Sequence, residues 1–168
     1  MTKERAPLPY RIILKIIPQL GLFELVLLAG LITGVIAKLF LSIDSILIIQ
    51  WTLIGLAITF FLSSFKPIDI PFKEGEILGQ KELLALIISP KVLWISCAIS
   101  MFGVFAFTKQ LGHDGHKRAL MVGGSSILIV LFILIISLLT GTKHLKFIAP
   151  ILYRSIPILL VDLYLFYY

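Results

Sequence analysis

Charged residues are scarce in this sequence, and only nine of its 168 residues are acidic. Charged side chains make up 14% of the chain, compared with about 25% in an ordinary soluble domain. Apolar residues reach 59%, and the mean hydropathy is +1.07. A soluble core of this size could not bury so much apolar surface. The composition therefore excludes a disordered chain and predicts a protein whose main solvent is the lipid bilayer.

The sequence also lacks the residues and motifs on which most enzymes depend. Its single cysteine, Cys97, excludes an intramolecular disulfide, and its apolar neighbours predict a small buried side chain. No Walker loop, dinucleotide fingerprint, HExxH zinc motif or nucleophile elbow is found. We therefore expect no catalytic residue, no cofactor and no enzymatic activity.

One short loop holds residues that could bind a metal. His113 and His116 lie three apart with Asp114 between them, but Gly112 and Gly115 oppose the helix that would align both imidazoles. No further cysteine or histidine lies nearby to complete a zinc site. We expect a solvated loop here rather than a metal site.

Long apolar runs dominate the rest of the chain. Four of them are long enough to predict transmembrane helices, at 20–37, 45–65, 92–108 and 119–140. The first lacks a small-residue cleavage site and is predicted to be an uncleaved span. The last segment, 147–168, carries two prolines and two charges, so we leave open whether it is a fifth span or lies in the interface.

The spans predict an all-helical integral membrane protein built from two tandem hairpins and a C-terminal apolar segment. The first hairpin with its basic N-terminus covers 1–65, a polar linker covers 66–80, the second hairpin covers 81–140, and the apolar segment covers 141–168. The two hairpins align at a shift of 71 residues, and both first spans end with a lysine, Lys38 or Lys109. We interpret this as an internal repeat.

Lysine and arginine follow the pattern of membrane topology rather than that of a nucleic-acid surface. With the N-terminus in the cytoplasm, the inner segments hold ten of these residues and the outer loops hold four. Positive charge is concentrated on the cytoplasmic side of membrane proteins. We predict a multi-pass protein of the cytoplasmic membrane with its N-terminus inside and with no nucleic-acid partner.

Three charged residues fall within apolar segments, where an ionisable group is costly and is by default a functional candidate. Glu24 lies in the first turns of the first span and could reach headgroup water or pair with Lys15 or another basic residue. Arg154 and Asp162 lie about 12 Å apart along a helix axis, so they cannot pair with each other. Each of the two requires a partner elsewhere, in this chain or in another subunit, or an interfacial position.

Small residues predict the faces on which helices pack closely. Gly30 and Gly34 lie four apart in the first span, Ser96 and Ser100 lie four apart in the third, and the fourth span opens with the adjacent pair Gly123 and Gly124. Such spacing lets two helices approach each other closely. The packing is expected to lie inside the bundle or against a partner subunit.

The second hairpin, from Gly103, resembles the membrane hairpin of the GldL family of gliding bacteria. The resemblance is carried by Lys109 at the end of one helix, His113 and Gly115 in the tight loop, and Gly123 in the next helix. The first hairpin is similar in GVIAKLF and FFLSSFKP but lacks the histidine.

This resemblance implies a cytoplasmic-membrane component of the gliding and type 9 secretion machinery. In that family the important membrane glutamate lies in the second helix of the hairpin, and a long cytoplasmic tail follows. Neither the second nor the fourth span has an acidic residue here, and the tail is missing. The resemblance therefore implies a non-motor relative.

Two functions fit these features. The first is a non-catalytic accessory or structural subunit of a membrane complex, with other membrane subunits or a second copy as partner. The alternative is a small transporter or ion-conducting protein, for which Glu24, Arg154 and Asp162 are the candidate residues.

Overall fold

The computed structural model describes residues 16–41, 44–67, 79–111, 114–141 and 148–167. Within these ranges the chain is helical and contains no strand. Five helices are long and apolar enough to cross a membrane. They are α1 (Ile17–Phe40), α2 (Ile46–Ser63), α3 (Gln80–Lys109), α4 (Gly115–Leu139) and α5 (Ala149–Tyr167).

The all-helical fold and its four predicted apolar helices are confirmed for the described residues. The C-terminal segment, whose form was left open, is a continuous helix of 19 residues. It remains helical although Pro157 removes one backbone donor from its interior. The linker at 66–80 lies mostly outside the described residues.

Helix α3 begins earlier than the apolar run at 92–108 predicted. Gln80–Leu83, three of which are polar, form its first turn, and Leu84–Ile88 continue it as a π-helical turn. An α-helix then runs from Ser89 to Lys109 with Pro90 in its first turn. Pro90 has no backbone N–H to donate. The π turn just before it widens the backbone spacing, which lets the helix continue past the proline.

Helix α3 is the centre of the bundle, because it packs against α2, α4 and α5. The residues buried along it include Leu93, Cys97 and Met101, and they join a core with Leu56 of α2 and Ile127 of α4. Helix α1 packs mainly on α2 and is the least buried of the five helices. The other four helices therefore lie unevenly around α3, with α1 at the edge of the bundle.

Within the first hairpin, glycines bring α1 and α2 close together. A Cβ atom on Gly30 would lie 2.9 Å from Cγ2 of Thr52, and one on Gly34 would lie 3.0 Å from Cγ1 of Ile49. The Ser45 hydroxyl also donates to the Gly34 carbonyl at 2.6 Å. Glycine at these positions lets the backbone of α1 lie directly against side chains of α2, where a larger residue would collide with them.

The second hairpin is held together in a similar way by Gly103 and Gly123. A Cβ atom on Gly103 would lie 3.0 Å from the backbone nitrogen of Leu120, and one on Gly123 would lie 2.2 Å from the Ser100 hydroxyl oxygen. Thr52 of α2 and Gly123 of α4 are 71 residues apart in the chain. In the second hairpin, glycines on both helices, Gly103 on α3 and Gly123 on α4, therefore permit the close approach.

Large apolar side chains cover the outside of the bundle. They include Leu22 and Leu39 on α1, Trp51 on α2, and Phe132 and Leu139 on α4, each of which is more than half exposed. A soluble protein of this size rarely exposes so much contiguous apolar surface.

Candidate functional site

Glu24 of α1 and Arg154 of α5 form an ion pair in the structure. The Arg154 Nε group donates to Oε1 of Glu24, across 130 residues of sequence. Glu24 is 6% exposed, whereas the Arg154 side chain is about one third exposed. Because Glu24 is the more buried partner, its carboxylate needs the ion pair for charge compensation more than the Arg154 guanidinium does.

Arg154 is held by two further contacts. Its Nη1 group donates to the carbonyl of Pro150 one turn earlier in α5, at 2.6 Å. Its guanidinium carbon lies 5.8 Å from the ring centroid of Trp94 on α3, which is within cation–π distance. The arginine thus joins α1, α3 and α5, and its charge is met by a carboxylate, a carbonyl and an aromatic ring.

Asp162 lies further along α5 and is paired differently. It is 2% exposed, and its Oδ2 accepts a hydrogen bond of 2.5 Å from the Ser100 hydroxyl of α3. Ser100 itself is completely buried. This hydrogen bond links α5 to α3.

Two adjacent glycines of α4 complete the surroundings of this pair. Gly123 lies directly against Ser100, where any side chain would collide with the hydroxyl and with the Ser100 backbone. A Cβ atom on Gly124 would lie 3.4 Å from Oδ2 of Asp162. The site is therefore formed by α3, α4 and α5 together, and the predicted small residues and the predicted intramembrane carboxyl meet in it.

The other carboxyl oxygen of Asp162 is buried without a partner. Among the residues that the structure describes, no donor reaches Oδ1. Buried polar atoms are nearly always hydrogen-bonded, so an unpaired oxygen in the centre of a bundle requires an explanation. The structure therefore separates the three predicted charges into an ion pair, Glu24 and Arg154, and a carboxyl with one neutral partner.

The two lysines predicted to end the first spans of the hairpins lie at the ends of helices. Lys38 lies in the last turn of α1, and Lys109 is the last residue of α3. A cation in the last turn of a helix complements the helix dipole. His113 lies outside the described residues.

A cavity of about 640 Å³ lies at the end of the bundle where Lys38 is found. It is lined by Lys38 and Ile49 of the first hairpin and by Thr108, Gln110 and His116 of the second. Gln50 of α2 reaches the carbonyl of Thr108 at 3.4 Å, which links the two hairpins at the same level. Polar side chains are therefore found at this end of the bundle as well as around Arg154 and Asp162.

Sequence reasoning did not assign Ser100 and Trp94 their contacts. Ser100 was expected to be a small packing residue, and the structure shows it as the donor to Asp162. Trp94 carried no expected partner, because a cation–π contact with a residue 60 positions away leaves no local pattern. The available signal for Ser100 was its position four residues after Ser96, which places both on one face of α3.

Comparison of the chain with protein-family models, with curated proteins and with solved structures finds no match. The described part of the chain is therefore characterised by its own fold and site, as a bundle of five apolar helices with several polar contacts between them.

Proposed function

We propose that this chain is an integral membrane protein that crosses the bilayer five times, with its N-terminus in the cytoplasm. Five helices of 18 to 30 residues support this, because about 20 residues cross the hydrocarbon core. The apolar side chains on the outside of the bundle match a lipid environment. The excess of lysine and arginine in the inner segments supports the orientation and a location in the cytoplasmic membrane.

Within that membrane, we propose that the protein is a non-catalytic accessory or structural subunit of a larger complex. Glu24, Arg154 and Ser100 all make contacts that join helices of this chain, so these side chains help to hold the bundle together. Such a bundle can present a constant surface to another membrane protein. The resemblance to the GldL hairpin supports a proposed complex of gliding and type 9 secretion, with an accessory rather than a motor role for this chain.

The observation that carries this proposal is the outer face of α1. A groove of about 350 Å³ runs along this helix, with the ion pair of Glu24 and Arg154 at its side. Its walls include Gly21 and Ala29, which are small enough to admit a second helix, and Leu25, Leu28 and Ile32, which would pack against it. We propose that a transmembrane helix of a partner subunit lies in this groove.

Site-specific photocrosslinking in the native membrane tests the proposal. A photoreactive residue at Leu28 lies in the groove, whereas one at Phe132 of α4 is an equally apolar control that is 63% exposed on the outside of the bundle. We expect a protein adduct of defined mass from position 28 and only lipid adducts from position 132. Extraction in a mild detergent, followed by native mass measurement, should recover the same partner.

Two outcomes would contradict the subunit proposal. One is lipid adducts alone from both positions, together with a purified monomer that brings nothing with it. The other is ion or solute flux through that monomer in liposomes, which would favour the alternative of a small transporter. A variant Glu24→Gln that abolished such flux would assign a role in it to the ion pair.

A further inference from the structure

The interior of the bundle holds two carboxyl groups in contrasting settings. Glu24 is matched by the full charge of Arg154. Asp162, with similar burial, has one neutral hydroxyl donor, and its Oδ1 has no partner among the described residues. Arg154 cannot serve both, because it lies eight residues before Asp162 on the same helix and already contacts Glu24. Two carboxyls whose surroundings differ in this way are suited to different protonation states.

An ionised Asp162 would be poorly supported in this position. A buried carboxylate is ordinarily matched by a cation or by two or three hydrogen-bond donors, and one hydroxyl does not replace its lost hydration. In the described part of the chain, the groups that surround it on α3 and α4 carry no positive charge, because α4 contributes Gly124 and α3 contributes Ser100 and the thiol of Cys97. A proton on Oδ1 would remove the negative charge and leave Oδ2 to accept from Ser100.

The site is held in a form that would permit exchange of this proton. Gly123 leaves just enough room for the Ser100 hydroxyl, so that oxygen is directed at Asp162. Two more buried hydroxyls lie along the same pair of helices toward Arg154. Ser96 lies one turn before Ser100, and Ser155 lies two turns before Asp162. Each donates to a carbonyl of its own helix and keeps free lone pairs.

We propose that Asp162 is a reversible proton-binding site in the interior of the bundle. Uptake forms an O–H bond at Oδ1 and neutralises the carboxylate. Release breaks that bond and returns the proton to water, while Ser100 keeps its hydrogen bond to Oδ2 throughout. Helix α5 has no counterpart in either hairpin, so the site is a property of this chain's fifth helix rather than of the repeated unit.

Infrared difference spectroscopy of the whole protein in lipid vesicles tests the proposal, because a protonated carboxyl has a carbonyl stretch that the ionised form lacks. We expect a carboxyl band at low pH that disappears reversibly as the pH is raised. Asp162→Asn should lose this band, and Glu24→Gln should keep it. Ser100→Ala should shift its frequency, since the hydroxyl contacts the same carboxyl group.

Three other results of this experiment would overturn the proposal. A band that is assigned to Asp162 but does not change with pH would make the group a permanently neutral link between helices. Absence of the band at every pH would mean that the carboxylate is stably ionised. Loss of the band on adding sodium at constant pH would make Oδ1 a sodium ligand instead. If Asp162→Asn fails to fold, the frequency shift in Ser100→Ala still decides the assignment.

Discussion

At the scale of single residues, the structure shows how few positions hold these apolar helices in one arrangement. Leucine and isoleucine side chains on the outside can contact lipid in many orientations of a helix. The contact of Gly123 with Ser100 and the ion pair of Glu24 with Arg154 form in only one orientation. In the proposed bilayer setting, where water does not drive helices together, close packing and interhelical hydrogen bonds would provide the specificity.

Gly123→Ala is expected to destabilise the bundle because the new Cβ atom would lie 2.2 Å from the Ser100 hydroxyl and 2.9 Å from its backbone nitrogen. The backbone cannot move aside without separating α3 from α4, so we expect a loss of about 1–3 kcal/mol. Gly21→Ala is the matched control, since nothing lies within 4 Å of its added methyl group. It should be neutral or should stabilise α1 by up to about 1 kcal/mol. Denaturant unfolding in mixed micelles measures both, and equal effects would contradict the packing argument.

Removing one partner of the ion pair should reveal that the two partners are unequal. Arg154→Met leaves the buried Glu24 carboxylate without a cation and should cost about 3 kcal/mol. Glu24→Gln leaves an arginine that is one third exposed and that keeps its contacts with Pro150 and Trp94, so it should cost less. The double variant should be more stable than the sum of the single effects predicts, which a double-mutant cycle of unfolding free energies measures. Additive effects would mean that the pair contributes no coupling.

At the scale of helices, the sequence predicted an element well where a single uninterrupted apolar run corresponds to a single helix. Spans at 20–37, 45–65 and 119–140 correspond to α1, α2 and α4 with ends that differ by a few residues. It was less accurate for α3, because the apolar run at 92–108 covers only the C-terminal part of a helix that begins at Gln80. The first turn at Gln80–Leu83 and the π turn at Leu84–Ile88 both precede that run.

The candidate site was predictable in its members but not in its pairings. Glu24, Arg154, Asp162, Gly123 and Gly124 stand out in the sequence because charge and glycine are unusual in apolar runs. Their partners depend on which faces of distant helices meet, and the contacts of Arg154 with Glu24 and of Asp162 with Ser100 span 130 and 62 residues. A pattern of small or charged residues that repeats every three or four positions does not show which residues so far apart in the sequence come into contact.

Whether α5 crosses the membrane can be tested by locating the C-terminus. If it crosses the membrane, the N-terminus and the C-terminus lie on opposite sides, whereas a four-span protein would have both in the cytoplasm. An alkaline phosphatase reporter fused after Tyr167 should therefore be active outside. The same reporter fused after Pro67, in the predicted cytoplasmic linker, should be inactive. An inactive reporter at both sites would place α5 in the interface.

At the scale of the whole molecule, α3 connects the parts. The first hairpin, the second hairpin and α5 all meet along this helix, and Cys97 lies near its middle with no exposed surface. Loss of the contacts on any one side of α3 would open this part of the core. The bundle should therefore unfold as one unit rather than one hairpin at a time.

The single cysteine makes that expectation measurable without a label. In the folded bundle a small maleimide should react with Cys97 only when the core opens. A control variant that carries Cys97→Ala and Leu139→Cys has its thiol at a position that is 80% exposed. It should react faster by about 10³ or more if the bundle has ordinary stability. Gly123→Ala should accelerate the reaction of Cys97 about tenfold for each 1.4 kcal/mol of stability that it removes. A reaction rate of Cys97 that Gly123→Ala and Arg154→Met leave unchanged would show that the core opens locally around α3, and the bundle would then not be a single cooperative unit.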